Sequence, residues 1–279
     1  MSGLDAQTDY NVWRYPLSPS TNAAMPLVAS AAFDGDPQYS PDRSQIVFAS
    51  SRSGQANIWI CRSDGSEPRQ ITSLGAEGFW AGSPSPDGRW IAFDARLPGS
   101  ESSVFVIDPA GGEPRRVTGP GPSDIVPRWS RDSRWIYFAS DRDDRGQQIW
   151  KVSLAGGAPV QMTRNGGLEA FESPAGHFLY YTKRSRTGGF WRIHLTSGSE
   201  TPVPGMESLG DRYWEQSPEG IYFVARSRQP VLQLFHLKTG AITSIMKLTV
   251  PPSLAYRGLS ISPNGRNFLY LHPDALLFL

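Results

Sequence analysis

Ser40–Ser50 reads SPDRSQIVFAS and Ser85–Ala95 reads SPDGRWIAFDA. The phrase returns as SRDSRWIYFAS from Ser130, SPAGHFLYYTK from Ser173, SPEGIYFVAR from Ser217 and SPNGRNFLYLH from Ser262. The steps between anchor serines are 45, 45, 43, 44 and 45 residues. Each copy couples a turn to a strand. Pro sets φ at the second turn position and Gly accepts positive φ. The run that follows is short, β-branched and aromatic, and breakers bound it. A second phrase lies midway between anchors: a short apolar run, a Gly turn, then a run ending in Thr or Ser. It reads NIWICRSDGSEPRQITS from Asn57, SVFVIDPAGGEPRRVTG from Ser103 and QIWKVSLAGGAPVQMTR from Gln148. Further copies are GFWRIHLTSGSETPVPG from Gly189 and LQLFHLKTGAITSI from Leu232, and NVWRYPLSPSTNAAMPLVAS opens at Asn11 with no anchor before it.

Each unit therefore reads as four strands, A to D, with strand A ending at the anchor, as in GDPQYS. Four short strands in about 44 residues, repeated, is the arithmetic of a propeller blade. The expected fold is all-β: a six-bladed β-propeller of four-stranded antiparallel blades. One domain spans 1–279, with complete repeats over about 33–250 and partial blades from 10–30 and 255–279. The anchor at Ser262 supplies strands A and B, and the segment at Tyr10–Ser30 supplies C and D, so both termini would close the last blade. An open ring would leave unpaired edges. ALLFL at 275–279 is a rival strand C, and a ring cut from a longer propeller is the alternative. The 28 Gly and 24 Pro leave little room for long helices.

The formal charge of +1 argues against direct nucleic-acid binding through bulk positive charge. Apolar runs fall far below a membrane span, and no leader with an apolar core is visible. Cys61 is the lone cysteine, so no internal disulfide forms, and a strand position makes it inert. The four histidines, His177, His194, His236 and His272, have no metal-ligand spacing, and neither a metal nor another cofactor is expected. Asp141–Gly146 reads as a solvated loop, because Arg142 and Arg145 oppose a cation.

The anchors and the phrase D-G-G-x-P-x-x-L-T resemble the repeat of the TolB β-propeller superfamily over about residues 10–271. FDGDPQYSPD, WSRDSRWIYFASDR and AFESPAGHFLYY are similar to the C-terminal propeller of CadC-like bacterial transmembrane regulators. That resemblance implies a sensor or partner-binding half, attached to a winged-helix DNA-binding domain and lying outside the cytoplasm in a membrane-anchored parent. The compartment itself is not legible.

Meander geometry puts the D–A and B–C connections on one face and the A–B and C–D turns on the other. Asp42, Asp87 and Asp132 recur in the A–B turns, where Asp bonds its own backbone. The B–C loops repeat an arginine at Arg52, Arg96, Arg142, Arg184 and Arg226. The D–A side offers Asp34, Asp36, Asp124, Glu169 and Asp211. These charges read either as ion pairs between blades or as a rim for an anionic or peptide partner. Aromatics precede several anchors: Phe79, Trp80, Phe171, Tyr213, Trp214 and Tyr256. They either reach the channel mouth as a binding patch or pack between blades. The expected site therefore comprises Asp36, Trp80, Asp124, Glu169, Tyr213 and Trp214, with Arg52, Arg96 and Arg142.

No Gly-x-Ser-x-Gly, phosphate loop or dinucleotide fingerprint is present. The expectation is a monomeric, non-catalytic module with a protein, peptide or small ligand. A propeller hydrolase or lyase with scattered loop residues is the alternative, as is a truncated remnant.

Overall fold

The computed structural model describes residues 9–17, 24–143, 145–183, 188–207, 209–225, 229–249 and 258–274, with backbone alone at 9, 79–81, 209–212, 225 and 274. Every described element is a strand or turn. β1 (Asp9–Pro16) and β2 (Met25–Val28) open the chain. Blade 1 is β3 (Asp34–Tyr39), β4 (Gln45–Ser50), β5 (Asn57–Arg62) and β6 (Arg69–Gln70). Blade 2 is β7 (Gly78–Pro84), β8 (Ile91–Arg96), β9 (Ser102–Ile107) and β10 (Arg115–Arg116). Blade 3 is β11 (Asp124–Trp129), β12 (Trp135–Ser140), β13 (Gln148–Ser153) and β14 (Val160–Gln161). Blade 4 is β15 (Ala170–Glu172), β16 (Phe178–Thr182), β17 (Phe190–His194) and β18 (Glu200–Pro202). Blade 5 is β19 (Leu209–Gln216), β20 (Ile221–Ala225), β21 (Val231–Phe235) and β22 (Ile242–Lys247). β23 (Leu259–Ile261) and β24 (Asn267–Asp274) follow.

Six antiparallel four-stranded sheets result, the sixth ordered β2-β1-β24-β23. The expected closure is therefore present: β1 takes the strand C place beside β24, in register from Asp9↔Asp274 to Pro16↔Asn267. The rival segment 275–279 lies outside the described residues. Hydrophobic clusters sit at all six junctions between neighbouring blades, including Val12, Ile46, Phe48 and Leu269 where blade 6 meets blade 1. Burying each such side chain contributes about 1.5–3 kcal/mol. Inner strands of neighbouring blades touch from β19 through β23, β3, β7 and β11 to β15.

The repeated residues explain themselves locally. The Ser40 hydroxyl donates to Asp42 Oδ1 at 2.6 Å and accepts from Gln45 N at 3.0 Å, locking the A–B turn. Ser85 and Ser130 repeat the arrangement with Asp87 and Asp132. Gly88 takes φ +71 there, and Arg43 and Ser133 hold φ 68 and 58 at the same turn position. Strand D is shorter than the phrase suggests, only two residues in blades 1–3. The threonine that ends it explains why: Thr72, Thr118 and Thr163 each accept the strand C backbone N–H through Oγ1, at 2.9–3.0 Å. A side chain thus replaces the next ladder bond.

Candidate functional site

Strand A is not a regular strand. Asp36 at φ 49 and Val126 at φ 56 lie inside it, and the register shifts between Gly35 and Gln38 and between Ile125 and Arg128. Blades 2 and 5 shift at the equivalent place. Such bulges re-aim side chains. The Val126 N–H, turned away from its ladder, donates to the buried Asp94 Oδ1 of blade 2 at 3.0 Å.

Beyond the bulge, the residue two before each anchor serine faces the axis. Gln38, Ser83, Arg128, Phe171, Glu215 and Ser260, one from each blade, line a single cavity of about 640 Å³. Small Ser83 and Ser260 leave the room. The cavity opens among the A–B turns, with Pro41, Pro86, Pro218 and Pro263 at its mouth. Tyr39, Trp129, Tyr222 and Ile261 form its apolar walls. A cleft of about 440 Å³ between blades 1 and 2 adjoins it, sharing Pro41, Pro84 and Pro86 and floored by Val47, Ile60 and Ile91.

Among the described residues of the lining, Arg128 carries the one cationic group. It is 2% exposed and donates through Nε and Nη2 to Glu169 Oε1 of blade 4, at 3.2 and 2.6 Å. Its guanidinium lies 4.9 Å from the Phe171 ring centre. Tyr222 donates to Glu219 Oε2 at 3.1 Å. Burial, with the Glu219 charge, pushes the Tyr222 hydroxyl up to about 12. Burial does the same to Tyr39, also to about 12.

The residues expected from the sequence fall elsewhere. Arg52 pairs with Asp34 at 2.7 Å and Arg142 with Asp124 at 2.6 Å, the acids fully buried and the arginines 17% exposed. These pairs lie within a blade, not between blades, because the B–C loop folds back over the start of its own strand A. Each guanidinium also covers aromatic rings, Phe48 and Trp59 or Phe138 and Trp150. Arg96 pairs with Glu77 at 2.9 Å, both about half exposed. Asp36 and Glu169 are fully buried near the axis, and Glu169 makes the interblade ion pair. Tyr213 and Trp214 are buried at 2% and 0% and pack in the clusters beside blades 6 and 4, so they present no wet aromatic patch. The strand A bulge turns them inward. The backbone of Trp80 pairs with Asp94, and its side chain is outside the described residues. The side chain of Asp211 is outside them too, as are Arg184, Arg226 and Tyr256 altogether. Cys61 is buried, which pushes its thiol up to about 12.

A family model described as the TolB beta propeller domain matches residues 78–248. The chain belongs to this family. This TolB-type propeller is 49% identical over 57 residues to the uncharacterized protein Atu1656 of Agrobacterium fabrum, a stretch that spans 19% of that relative. It superposes on a TolB candidate from Agrobacterium tumefaciens with a TM-score of 0.77 at 18% identity, covering 97% of this chain and 100% of that one. An oligogalacturonate lyase in complex with manganese gives a TM-score of 0.60 at 13% identity, over 93% of this chain and 78% of that one. At such identities these superpositions show the fold alone. Among the described residues of the TolB-type ring, no three His, Cys, Asp or Glu side chains come together to hold a metal ion. No described helix is long and apolar enough to cross a membrane.

Proposed function

We propose that this chain is a non-catalytic binding module that receives a protein or peptide segment in its axial cavity, on the face of the A–B turns. The observation that carries this reading is the cavity itself. Its volume of about 640 Å³ falls in the range of ligand sites, roughly 300–1,000 Å³, and mixed apolar and polar walls are typical of them. The walls are inner strands held by neighbours on both sides, so the site is built before a ligand arrives and little ordering is needed on binding. No described histidine or cysteine lines it.

In this reading the ring works as a monomer, does not itself touch nucleic acid, and serves as the sensory half of a CadC-like regulator outside the cytoplasm. The repeat resemblance supports that placement, and the near-neutral charge supports the lack of a nucleic-acid grip. Selection of a random displayed peptide library on the ring tests the docking role. Peptides enriched on the native ring are expected to be lost on a Ser83→Trp ring, whose new indole fills the cavity, with the melting temperature kept within a few degrees. Enrichment that is indifferent to Ser83→Trp contradicts it.

A further inference from the structure

The cleft between blades 1 and 2 is open where two of its counterparts are shut. At each such junction the A–B turn of one blade stands beside that of the next. Between blades 2 and 3, Ser133 Oγ accepts the Asp87 N–H at 3.1 Å and ties the two turns together. Between blades 3 and 4 the Arg131 side chain lies across. Its Nη1 is 2.7 Å from where a Cβ on Gly176 would sit, and its backbone N–H donates to Glu172 Oε2 at 3.0 Å. Blade 2 has Gly88 at the turn position of Ser133, and blade 1 has Pro41 at that of Arg131. Neither supplies a bridging group, and a Cβ on Gly88 would meet the Pro41 ring at 3.8 Å, an ordinary contact. The space left is about 440 Å³, a volume typical of ligand sites. Farther out, Arg69 of blade 1 donates to the Ala110 carbonyl of blade 2 at 3.1 Å and bridges the outer end. Toward the axis the cleft runs into the cavity past Pro41, Pro84 and Pro86, which line both.

The chemistry of the cleft is hydrocarbon. Val47, Ile60 and Ile91 lie at its floor, and Pro109 joins the other prolines in its walls. Proline has no N–H to offer. Among the described residues of the lining there is no aromatic ring and no basic group. The two carboxylates at its edge are engaged in their own turns: Asp42 accepts from Ser40 and Ser44, and Asp87 from Ser85 and Arg89. We infer that the cleft seats an aliphatic side chain of the bound peptide, a leucine, isoleucine or methionine, that leads on from the segment in the axial cavity. This rests on the docking reading above and adds the residue type that reading leaves open. An extended chain sends alternate side chains to separate pockets, so one can fill the cavity while another reaches the cleft. A polar side chain there would lose water without gaining partners. An acidic one would also meet the Asp42 and Asp87 charges.

The test places one thiol at the cleft edge by Asp42→Cys, at a turn position that holds Ala175 in blade 4. Asp42 lines the cleft and not the axial cavity. Two disulfide probes on the same cysteamine linker, one carrying N-acetylleucine and the other N-acetylasparagine, are exchanged onto the intact ring against rising 2-mercaptoethanol. Mass spectrometry reads the adduct, and the native ring, whose Cys61 is 2% exposed, is the blank. The leucine probe is expected to persist to at least tenfold more reductant than the asparagine probe. Adding Gly88→Leu, whose own side chain fills the cleft, is expected to erase the difference. Arg43 and Ser133 carry side chains at that turn position with φ 68 and 58. Should the leucine variant fold poorly, Gly88→Ser is the milder closure, and the probe pair on the open cleft carries the decision. Equal retention of the two probes, or a leucine preference that survives Gly88→Leu, overturns the inference. Displayed peptides lost on the Ser83→Trp ring are expected to weaken on the Gly88→Leu ring as well. Peptides that need the cavity but ignore Gly88→Leu would overturn the cleft anchor and leave the docking role standing. Absence of any cavity-dependent peptide would remove the docking role itself, and the inference with it.

Discussion

Replacing Glu169 with alanine strips an ion-pair partner from a guanidinium that is 2% exposed and bound to it through two N–H groups. A buried pair is a poor source of net stability, but breaking one side leaves a charge uncompensated in a dry setting, at a cost of about 3–5 kcal/mol. For a chain of this size each kcal/mol moves the melting temperature by roughly 2–4 °C, so Glu169→Ala is expected to lower it by about 6–20 °C. The companion Arg128→Met/Glu169→Leu removes both charges and refills the space, and is expected to recover most of the loss. Urea unfolding followed by tryptophan fluorescence, run as a double-mutant cycle, reads both effects. A Glu169→Ala ring within 1 kcal/mol of the native one would refute the idea that this pair is desolvated and ties blade 3 to blade 4.

Removing residues 1–17 takes away β1, whose Val12 and Tyr15 are buried at 0% and 7%. The loss is expected to exceed about 3 kcal/mol from those two side chains, and an unchanged melting temperature would reject closure by both ends. Thr163→Val leaves the Ile149 N–H without its 2.9 Å acceptor. About 1–3 kcal/mol should be lost, largely restored by Thr163→Ser, as chemical denaturation would show. The Ser130 hydroxyl holds the Asp132 carboxyl below its ordinary range. A depressed folded pKa adds stability that is present above the unfolded value near 4 and fades as pH falls through the folded one. The gap in melting temperature between native and Asp132→Ala rings should therefore narrow from pH 7 to pH 3. A gap that stays constant would deny the carboxylate that role.

Ser40, Ser85 and Ser130 with their aspartates made the A–B turns legible because each motif is closed within six residues by its own side chains. Thr72, Thr118 and Thr163 are local in the same sense, and with even spacing they made a ring of blades the economical reading. The site was less legible because it depends on the bulge in strand A. Neither Asp36 nor Val126 is a residue type that announces positive φ in the middle of a strand, although Asp tolerates it better than a β-branched side chain. Without the bulge, the parity of strand A is miscounted. The aromatics before the anchors then seem to reach the channel mouth, whereas Tyr213 and Trp214 pack on either side of blade 5 and Glu215 lines the cavity. Aligning the six copies on their serines would have exposed the signal: the column two before the anchor holds Gln, Ser, Arg, Phe, Glu and Ser, too polar for an interblade core. Arg52 and Arg142 misled for a different reason. Their acids, Asp34 and Asp124, stand 18 residues away in sequence, and only the fold-back of the B–C loop brings them together inside one blade.

The face that binds can be read directly by photo-crosslinking in the cell of origin, with a benzophenone side chain placed at position 263, at the cavity mouth, or at position 122, beside Asp141 and Arg142 on the opposite face. The account predicts a covalent adduct with a partner from position 263 and none from 122. Adducts from 122 alone, or none from 263, would contradict it.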